Sequence, residues 1–179
     1  MEFFEVVAKR RSIRTFMPAA ISDERLRKIL EAANSAPSAG NLQSYEIYLV
    51  TAKRLRESVA RAANEQLFVA CAPVLLVFCT HAARSRERYG KRAERLYAPQ
   101  DATIACAFAM LAATAQGLGS VWVGAFDPKE VRRLIGAPPG VVPVAIMPVG
   151  HAGAHPDAPE RRPLEDLVHR TDSRKISGG

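Results

Sequence analysis

The 179-residue sequence (19.5 kDa) is long enough to bury a hydrophobic core without disulfide or metal cross-links. Hydrophobic residues make up 48% and charged residues 24%, which excludes collagen-like, low-complexity and intrinsically disordered proteins. The net charge of +7 arises in the first 100 residues, with 17 basic and 10 acidic residues against 8 and 8 afterwards, and is compatible with nucleic acid, a membrane surface or a small anionic ligand.

Hydrophobic periodicity and capping residues predict alternating helices and strands in the first 80 residues. The clearest helix starts at Ser22, a favourable N-cap, and repeats apolar residues at i, i+3, i+4 and i+7. The predicted elements are a helix over 2–11, a helix from Ser22 to near Ser35, a strand over Tyr45–Thr51, a helix over Arg54–Gln66 and a buried strand over Pro73–Thr80.

The second half of the chain centres on an apolar segment. Ala102–Gln116 is apolar almost all round, which predicts a helix buried in a core or an interface. The other predicted elements are a polar helix or lid over Arg84–Leu96, a strand over Ser120–Phe126, a short helix opened by Asp127 and closed by Gly136, and a final strand over Val141–Val149 that is an edge or bulged strand because of Pro143 and Pro148. Because helices and strands mix without strict βαβ alternation, the sequence predicts an α+β fold with a sheet covered by helices.

The sequence contains no recognisable targeting or cross-linking feature. Its longest purely apolar run, Ile104–Ala113, is too short to span a bilayer, and the N-terminus is too acidic for a signal peptide. Cys71, Cys79 and Cys106 form no CxxC pair, so we expect neither a disulfide nor a zinc site, and we expect all three thiols to be inert in apolar surroundings. A cytoplasmic protein without membrane association is therefore predicted.

Several common catalytic motifs are absent from the sequence. There is no GxGxxG after a strand, no Walker A motif, no GxSxG elbow and no HExxH. His151 and His155 are four residues apart but lie among Gly, Ala and Pro, so a shared helical face is not expected. We expect no metal site.

Four segments are more polar or glycine-rich than a plain core requires. Residues 9–14 (KRRSIR) suit a phosphate, or form a solvated helix end. Residues 35–43 (SAPSAGNLQ) would let the backbone and two amides approach a flat heterocycle, or form an ordinary loop. Residues 117–125 contain glycines that would expose backbone N–H groups to a ligand; alternatively, these glycines only end a helix. Residues 161–165 contain a second basic pair, which would either bind an anion or belong to an exposed tail.

In this order, RRSIRTF, AANSAPSAGNLQSYEIYLV, QDATIACAFAMLAATAQGLGSVWVGAF, and VPVAIMPVGH followed by RRPLEDLVH resemble the FMN-dependent nitroreductase family. The likeness covers residues 3 to 170. It implies a nitroreductase-like sandwich with a mixed, mainly antiparallel sheet, in an intertwined homodimer that binds two flavins at the subunit interface. It also implies one FMN-binding domain over residues 1–170, with residues 171–179 as a C-terminal tail.

The resemblance assigns roles to individual residues. The first basic segment matches positions that hold the FMN phosphate and ribityl chain, and Arg14 matches a cation that stabilises negative charge on the reduced flavin at N1. The second segment matches a loop reaching the flavin from the other subunit, and Gly124 and Ala125 match backbone donors to the N5 and O4 region of the flavin. Arg162, with Arg161 as a second candidate, matches a C-terminal phosphate contact. Asn64 matches an amide on the pyrimidine ring, although Leu67 stands where some members have lysine. The assigned residues are Arg10, Arg11, Ser12, Arg14, Pro37, Ser38, Ala39, Asn41, Gln43, Asn64, Gln66, Gly124, Ala125, Arg161 and Arg162.

The implied activity is hydride transfer from NADH or NADPH through flavin N5 to an electron-poor acceptor, such as a nitroaromatic, a quinone or a free flavin. The implied kinetic order is ping-pong, with no general acid from the protein. The cations of Arg84–Tyr97 would meet the phosphates of the nicotinamide cofactor, or form a solvated helix face. Two alternatives stay open: a flavoenzyme of the same fold that performs reductive dehalogenation or flavin breakdown, and a basic nucleic-acid-binding protein. The 7% aromatic content and the lack of a recognition helix disfavour nucleic acid as a partner.

Overall fold

One sheet of four antiparallel strands organises the structure, a computed structural model that describes residues 1–171. In the order in which they pair, the strands are β1 (Tyr45–Val50), β2 (Val74–His81), β4 (Val141–Gly150) and β3 (Gly119–Ser120). An isolated parallel bridge between Ser12 and Ser120 adds the segment after the first helix to this sheet. Of the tail predicted over residues 171–179, all but the first residue lies outside the described chain.

Helices cover both faces of the sheet. They are α1 (Phe3–Lys9), α2 (Asp23–Asn34), α3 (Lys53–Ala62), α4 (Phe68–Cys71), α5 (Ala83–Tyr89), α6 (Ala98–Ala115) and α7 (Pro128–Leu134). A π-helical turn over Ala93–Tyr97 leads directly into α6, and single 3-10 turns lie at Ala39–Asn41 and Leu164–Asp166. Within residues 1–171, no helix has both the length and the apolar character needed to cross a membrane.

The side chains of β2 alternate between two hydrophobic cores. Val74, Leu76 and Phe78 are buried with α2 and α6 on one face. Leu75 and Val77 are buried with α3, α4 and α7 on the other face. Successive strand residues point to opposite faces, so a strand that is covered on both sides is apolar throughout. The predicted α+β fold with a helix-covered sheet is confirmed.

The capping residues Ser22 and Asp127 correctly predicted where two helices begin. The Ser22 hydroxyl accepts a hydrogen bond from the Arg25 amide at 3.4 Å at the start of α2. The Asp127 carboxylate accepts hydrogen bonds from the Lys129 and Glu130 amides at 2.9 and 3.2 Å at the start of α7. These contacts satisfy amide groups that have no partner within the first helical turn.

Three predicted boundaries were wrong. The helix predicted over Arg54–Gln66 ends at Ala62, because Asn64 and Glu65 adopt left-handed backbone angles (φ +55° and +56°). The apolar helix begins at Ala98, four residues before the predicted start, because the preceding π-helical turn runs into it. The strand predicted over Ser120–Phe126 is reduced to β3, since beyond Ser120 only Val123 pairs with β4.

The last strand is bulged, as predicted, but it is not an edge strand. β4 lies between β2 and β3, and its register with β2 shifts between Phe78 and Cys79. The Ile146 amide donates to the Val123 carbonyl at 2.9 Å, so the nitrogen of Pro148, two residues on, faces the same side. β3 has only two residues on that side, so few inter-strand hydrogen bonds can form there. A proline in β4, which lacks an N–H group, is therefore tolerated at this position.

The cysteines do not share one environment. Cys79 and Cys106 are fully buried, whereas Cys71 is exposed at the end of α4, so the prediction of an apolar setting for Cys71 was wrong. Cys71 lies one turn after Leu67, to whose carbonyl its thiol is 3.6 Å away.

Candidate active site

Four arginines and a serine surround a cavity of about 440 Å³ beside the C-terminal end of α1. We call this set of residues (Arg10, Arg11, Ser12, Arg14 and Arg161) the basic cradle. Pro156, Asp157 and Pro159 complete the lining. Four guanidinium groups with one carboxylate suit an anion such as a phosphate monoester, because guanidinium donors match its oxygens in pairs. The structure places Arg161 in this lining, while the neighbouring Arg162 is exposed and is not part of it.

The cradle is held against the sheet by Ile13. The Ile13 amide donates to the Ser120 carbonyl at 3.0 Å, and the Ile13 side chain is buried, at 4% exposure. A Cβ atom on Gly119 would lie 2.8–2.9 Å from the Ile13 side chain, so the close approach requires glycine at position 119. Next to Ser12, the buried hydroxyl of Ser120 has no hydrogen-bond partner within residues 1–171.

A second wall of the site joins three assigned residues that are far apart in the sequence. The Gln66 side-chain amide donates to the carbonyls of Ala63 and Ala125 at 2.8 and 2.9 Å. The Arg14 guanidinium lies 6.0 Å from the centre of the Phe68 ring, on the helix that follows Gln66. The structure therefore brings Gln66 next to Ala125, and it places Arg14 beside Phe68, two residues after Gln66.

Backbone donors are available on this wall. Gly124 and Ala125 are exposed, and neither donates its N–H group to another residue in the described part of the chain. Asn64 is also exposed, in the left-handed turn that precedes Gln66. Free amides beside a cationic group can bind the carbonyl or nitrogen edge of a planar ligand.

The segment Pro37–Gln43, which we call the amide loop, has an unusual backbone. Gly40, Asn41 and Gln43 all have positive φ angles, of +58°, +56° and +43°. The Ser38 hydroxyl accepts from the Gln43 amide at 3.1 Å, and the Gln43 side chain donates to the Asn41 side chain and carbonyl at 2.5 and 2.6 Å. The long-range contacts of the loop are with α5 and α6, not with the basic cradle.

Two residues that contact the amide loop were not assigned to the flavin site from the sequence. The carboxylate of Asp101, which is 2% exposed, accepts hydrogen bonds from the amides of Ala39 and Ser44 at 2.9 and 3.2 Å. The Arg84 guanidinium donates to the carbonyls of Gln43 and Tyr45 at 2.9 and 2.8 Å. Asp101 is the only charged residue in α6, and this isolated carboxylate is the signal that could have identified it.

Three of the six cations in the segment Arg84–Tyr97 have a polar partner within the described residues. Arg84 pairs with Glu46, and Arg86 pairs with Glu94. Arg92 donates to the Tyr97 hydroxyl at 3.0 Å and lies over its ring. These contacts fit a helix face stabilised by local charge pairs better than an open row of phosphate-binding groups.

Charge and burial tune the groups around the amide loop. Burial raises the pKa of Tyr45, and the nearby Asp101 carboxylate raises it further. His81 lies 2.9 Å from the Glu46 carboxylate that also contacts Arg84. Within the described residues, no three His, Cys, Asp or Glu side chains converge in an arrangement that could hold a metal ion.

The outer side of α6 and the adjacent α1 form an exposed apolar face. Phe3 and Phe4 are 62% and 83% exposed, and Phe108 is 38% exposed. A cavity of about 530 Å³ lies on this face, lined by Met1, Phe3, Val6, Ala32, Phe108, Leu111, Ala112 and Ala115. The opposite side of α6 is buried in the core. The helix is therefore apolar both where it packs on the core and on its exposed outer side.

Comparison with known proteins gives consistent matches over nearly the whole chain. The model of the nitroreductase family matches residues 7–70 and 63–151. An NADH dehydrogenase of Thermus thermophilus is 32% identical over 187 aligned positions, covering 89% of this chain and 91% of that protein. An FMN reductase [NAD(P)H] of Bacillus subtilis is 30% identical, covering 94% and 73%. Among solved structures, an NADPH:FMN oxidoreductase from Vibrio harveyi complexed with NAD+ superposes with a TM-score of 0.87 at 29% identity, covering 95% of this chain and 77% of that one.

Proposed function

The chain belongs to the nitroreductase family, and from this premise we propose that it binds FMN in the basic cradle and reduces an electron-poor acceptor. It is an NAD(P)H-dependent FMN oxidoreductase of the nitroreductase type, as the relatives named NADPH-flavin oxidoreductase, FMN reductase and NADPH nitroreductase are. FMN, when bound, supplies the hydride chemistry between a nicotinamide donor and the acceptor.

The observation that carries the proposal is the basic cradle beside free backbone amides. Four arginines around one cavity suit a phosphate group, and the Ser12 side of the cavity adds a hydroxyl. The exposed amides of Gly124 and Ala125 suit the polar edge of a flavin ring. The residues present therefore fit FMN.

The residues divide into groups that bind and groups that tune. Arg10, Arg11, Ser12 and Arg161 bind the phosphate end of the cofactor. Arg14, placed over Phe68, stabilises negative charge on the ring, which favours reduction. Gln66 fixes the position of Ala125 by its 2.9 Å hydrogen bond.

We further propose that the nicotinamide donor and the acceptor occupy the same cleft in turn, which is a ping-pong order. The acceptor class comprises nitroaromatics, quinones and free flavins. Gly124 and Ala125 are exposed, which supports access of a flat substrate to this part of the proposed site.

We propose a homodimer with two shared sites. The apolar face of α1 and α6 would be covered by the partner, because an exposed patch of this kind is typical of an interface. In one chain the amide loop contacts α5 and α6 and not the cradle, which supports a role at the site of the other subunit. The exposed segment 154–171, which carries Arg161, would reach across the partner.

An absorbance spectrum of the purified protein tests the proposal. We expect a yellow protein whose chromophore has the mass of FMN, bleaches anaerobically with NADH or NADPH, and regains colour with a nitroaromatic or a quinone. A flavin that does not bleach would favour another flavin reaction. A colourless protein that cannot be reconstituted with FMN would contradict the proposed function.

A further inference from the structure

We propose that Asp101 and Arg84 are positioning residues that hold the amide loop in the conformation with which it contacts the flavin of the opposite subunit. The inference rests on the proposed function, because it assumes that the loop has a flavin to contact. Neither residue belongs to the basic cradle.

From the side of α6, Asp101 binds the backbone at two points, one near the start of the amide loop and one directly after its end. Its two oxygens accept hydrogen bonds from the Ala39 and Ser44 amides, one oxygen each, at 2.9 and 3.2 Å. A carboxylate that is 2% exposed is costly to bury unless it is hydrogen-bonded, and these two amides meet that requirement. The amide loop is thereby attached to α6 at these two points.

Arg84 binds the second end of the loop from α5. Its guanidinium donates to the carbonyls of Gln43 and Tyr45, which flank the amide of Ser44 held by Asp101. Glu46 contacts Arg84 and orients it. The Asp101 carboxylate therefore accepts hydrogen bonds from backbone N–H groups, while the Arg84 guanidinium donates hydrogen bonds to the carbonyls on either side of Ser44.

The backbone of the loop requires such support. Asn41 and Gln43 have positive φ angles, which are unfavourable for residues other than glycine. Gly40 lies so close to α5 that a Cβ atom would be 2.6 Å from the Tyr89 hydroxyl and 2.7 Å from the Arg88 guanidinium. Without Asp101 and Arg84, the loop would relax toward ordinary backbone angles and move away from a fixed ligand-binding position.

The test compares four single variants of the full-length protein. Asp101→Asn keeps the shape of the side chain but turns an amide donor toward a backbone donor. Arg84→Met keeps an unbranched side chain of about the length of the aliphatic part of arginine, but it removes the guanidinium donors. Arg86→Met is the matched control for charge, because Arg86 is on the same helix and pairs with Glu94 instead. Ile29→Val is the control for stability, because it removes one methyl group from the core packed against α6.

Hydrogen exchange of the peptide covering residues 37–45 is measured without added FMN, and the Kd for FMN and the visible circular dichroism of the bound flavin are measured after reconstitution. We expect Asp101→Asn and Arg84→Met to speed the exchange of this peptide and to raise the Kd by about tenfold each, with a changed flavin spectrum. Both controls should keep the exchange, the Kd and the spectrum of the parent protein.

The outcomes separate this inference from the function on which it rests. If the parent protein binds FMN and both variants bind it as tightly, with an unchanged spectrum, the positioning role is wrong and the function stands. If the parent protein does not bind FMN, the function fails and the flavin part of the inference fails with it, whatever the loop exchange shows. If Asp101→Asn does not fold, Arg84→Met decides the question, since it leaves the buried carboxylate and its two amides intact.

Discussion

At the scale of single residues, the cradle joins side chains that the sequence already places side by side. Arg10 and Ser12 are two positions apart and both line the cavity, while the next residue, Ile13, is buried and attaches the segment to β3. A local cluster of this kind is visible in the sequence because the cations and the hydroxyl need no distant element to assemble them. The contribution of Arg161 is harder to predict from the sequence. Only the path of the exposed C-terminal segment places Arg161 at the cavity, whereas its neighbour Arg162 is not in the lining.

Replacement of Arg10 and Ser12 by alanine tests the phosphate contact. We expect Arg10→Ala with Ser12→Ala to raise the Kd for FMN by about 100-fold or more, because a charged donor and a hydroxyl are removed from the anion. Fluorescence titration of free FMN measures the change. Arg54→Ala with Ser58→Ala removes the same groups from the exposed side of α3 and should leave the Kd unchanged. Equal affinity in both double variants would contradict the phosphate assignment.

Thiol labelling tests the burial of the cysteines. At pH 8 we expect one thiol per chain to react quickly with a maleimide, because Cys71 is exposed while Cys79 and Cys106 are buried. Burial raises the pKa of Cys79 to about 12, so its thiol stays protonated and unreactive at pH 8. Mass spectrometry of the native and the denatured protein should show one and three labels. Labelling of Cys71 should leave activity intact, and two rapid labels on the native protein would contradict the described core.

Asp101 and Arg84 show what residue-level sequence reasoning cannot reach. Asp101 is 62 and 57 positions from its partners Ala39 and Ser44, and Arg84 is 41 and 39 positions from its partners. No periodicity or spacing rule connects such positions, because the packing of α5 and α6 against the sheet creates the contact. The sequence indicates only that a lone carboxylate stands in an apolar helix.

At the scale of elements, boundaries set by local chemistry were predictable and boundaries set by pairing were not. The caps at Ser22 and Asp127 identified two helix starts, since a cap is made by residues adjacent in sequence. The segment Ser120–Phe126 has the composition of a strand, but a strand needs a partner along its length. Beyond Ser120 the chain leaves β4 and returns only at Val123, so most of the predicted strand is loop, in which Gly124 and Ala125 are exposed.

Removal of the cap of α7 tests an element boundary. We expect Asp127→Ala to lower the free energy of unfolding by about 1 kcal/mol, because the amides of Lys129 and Glu130 lose their acceptor. For a chain of this size the Tm of the protein without FMN should fall by roughly 2–4 °C. Asp127→Asn keeps a side-chain acceptor and should retain most of the stability. A similar loss in both variants would contradict the capping role.

Gly119 connects β3 with the basic cradle, and a methyl group tests that connection. Gly119→Ala places a Cβ atom 2.8–2.9 Å from Ile13, so the segment Ser12–Arg14 must move away from β3. We expect both a lower Tm and a Kd for FMN that rises by about tenfold, measured by thermal unfolding and by flavin titration. Gly136→Ala is the control, because φ is +67° there but the space is open and no cradle residue is near. It should lower the Tm while leaving the Kd unchanged.

At the scale of the whole molecule, α6 connects the core, the amide loop and the apolar face. One side of this helix packs on the sheet with α2, its first turn carries Asp101, and its outer side exposes Phe108. The sequence predicted burial in a core or an interface, and a single chain buries only the first of these sides. The sequence alone cannot distinguish the residues of α6 that pack in the core from those on the exposed face, because a helix has the same hydrophobic periodicity in a core and in an interface.

Disruption of the apolar face tests the proposed dimer and the shared sites together. We expect the parent protein to sediment at twice the chain mass of 19.5 kDa, and Phe108→Glu to sediment as a monomer, because a carboxylate would have to be desolvated in the interface. The monomeric variant should keep its far-ultraviolet circular dichroism, since Phe108 lies outside the buried core, but it should lose FMN, since the amide loop of the partner is then missing. Leu49→Glu, at an exposed apolar position on β1, is the control and should remain a dimer with FMN bound. A parent protein that is monomeric and still binds FMN tightly would contradict the shared site, because one chain would then supply every contact that the flavin needs.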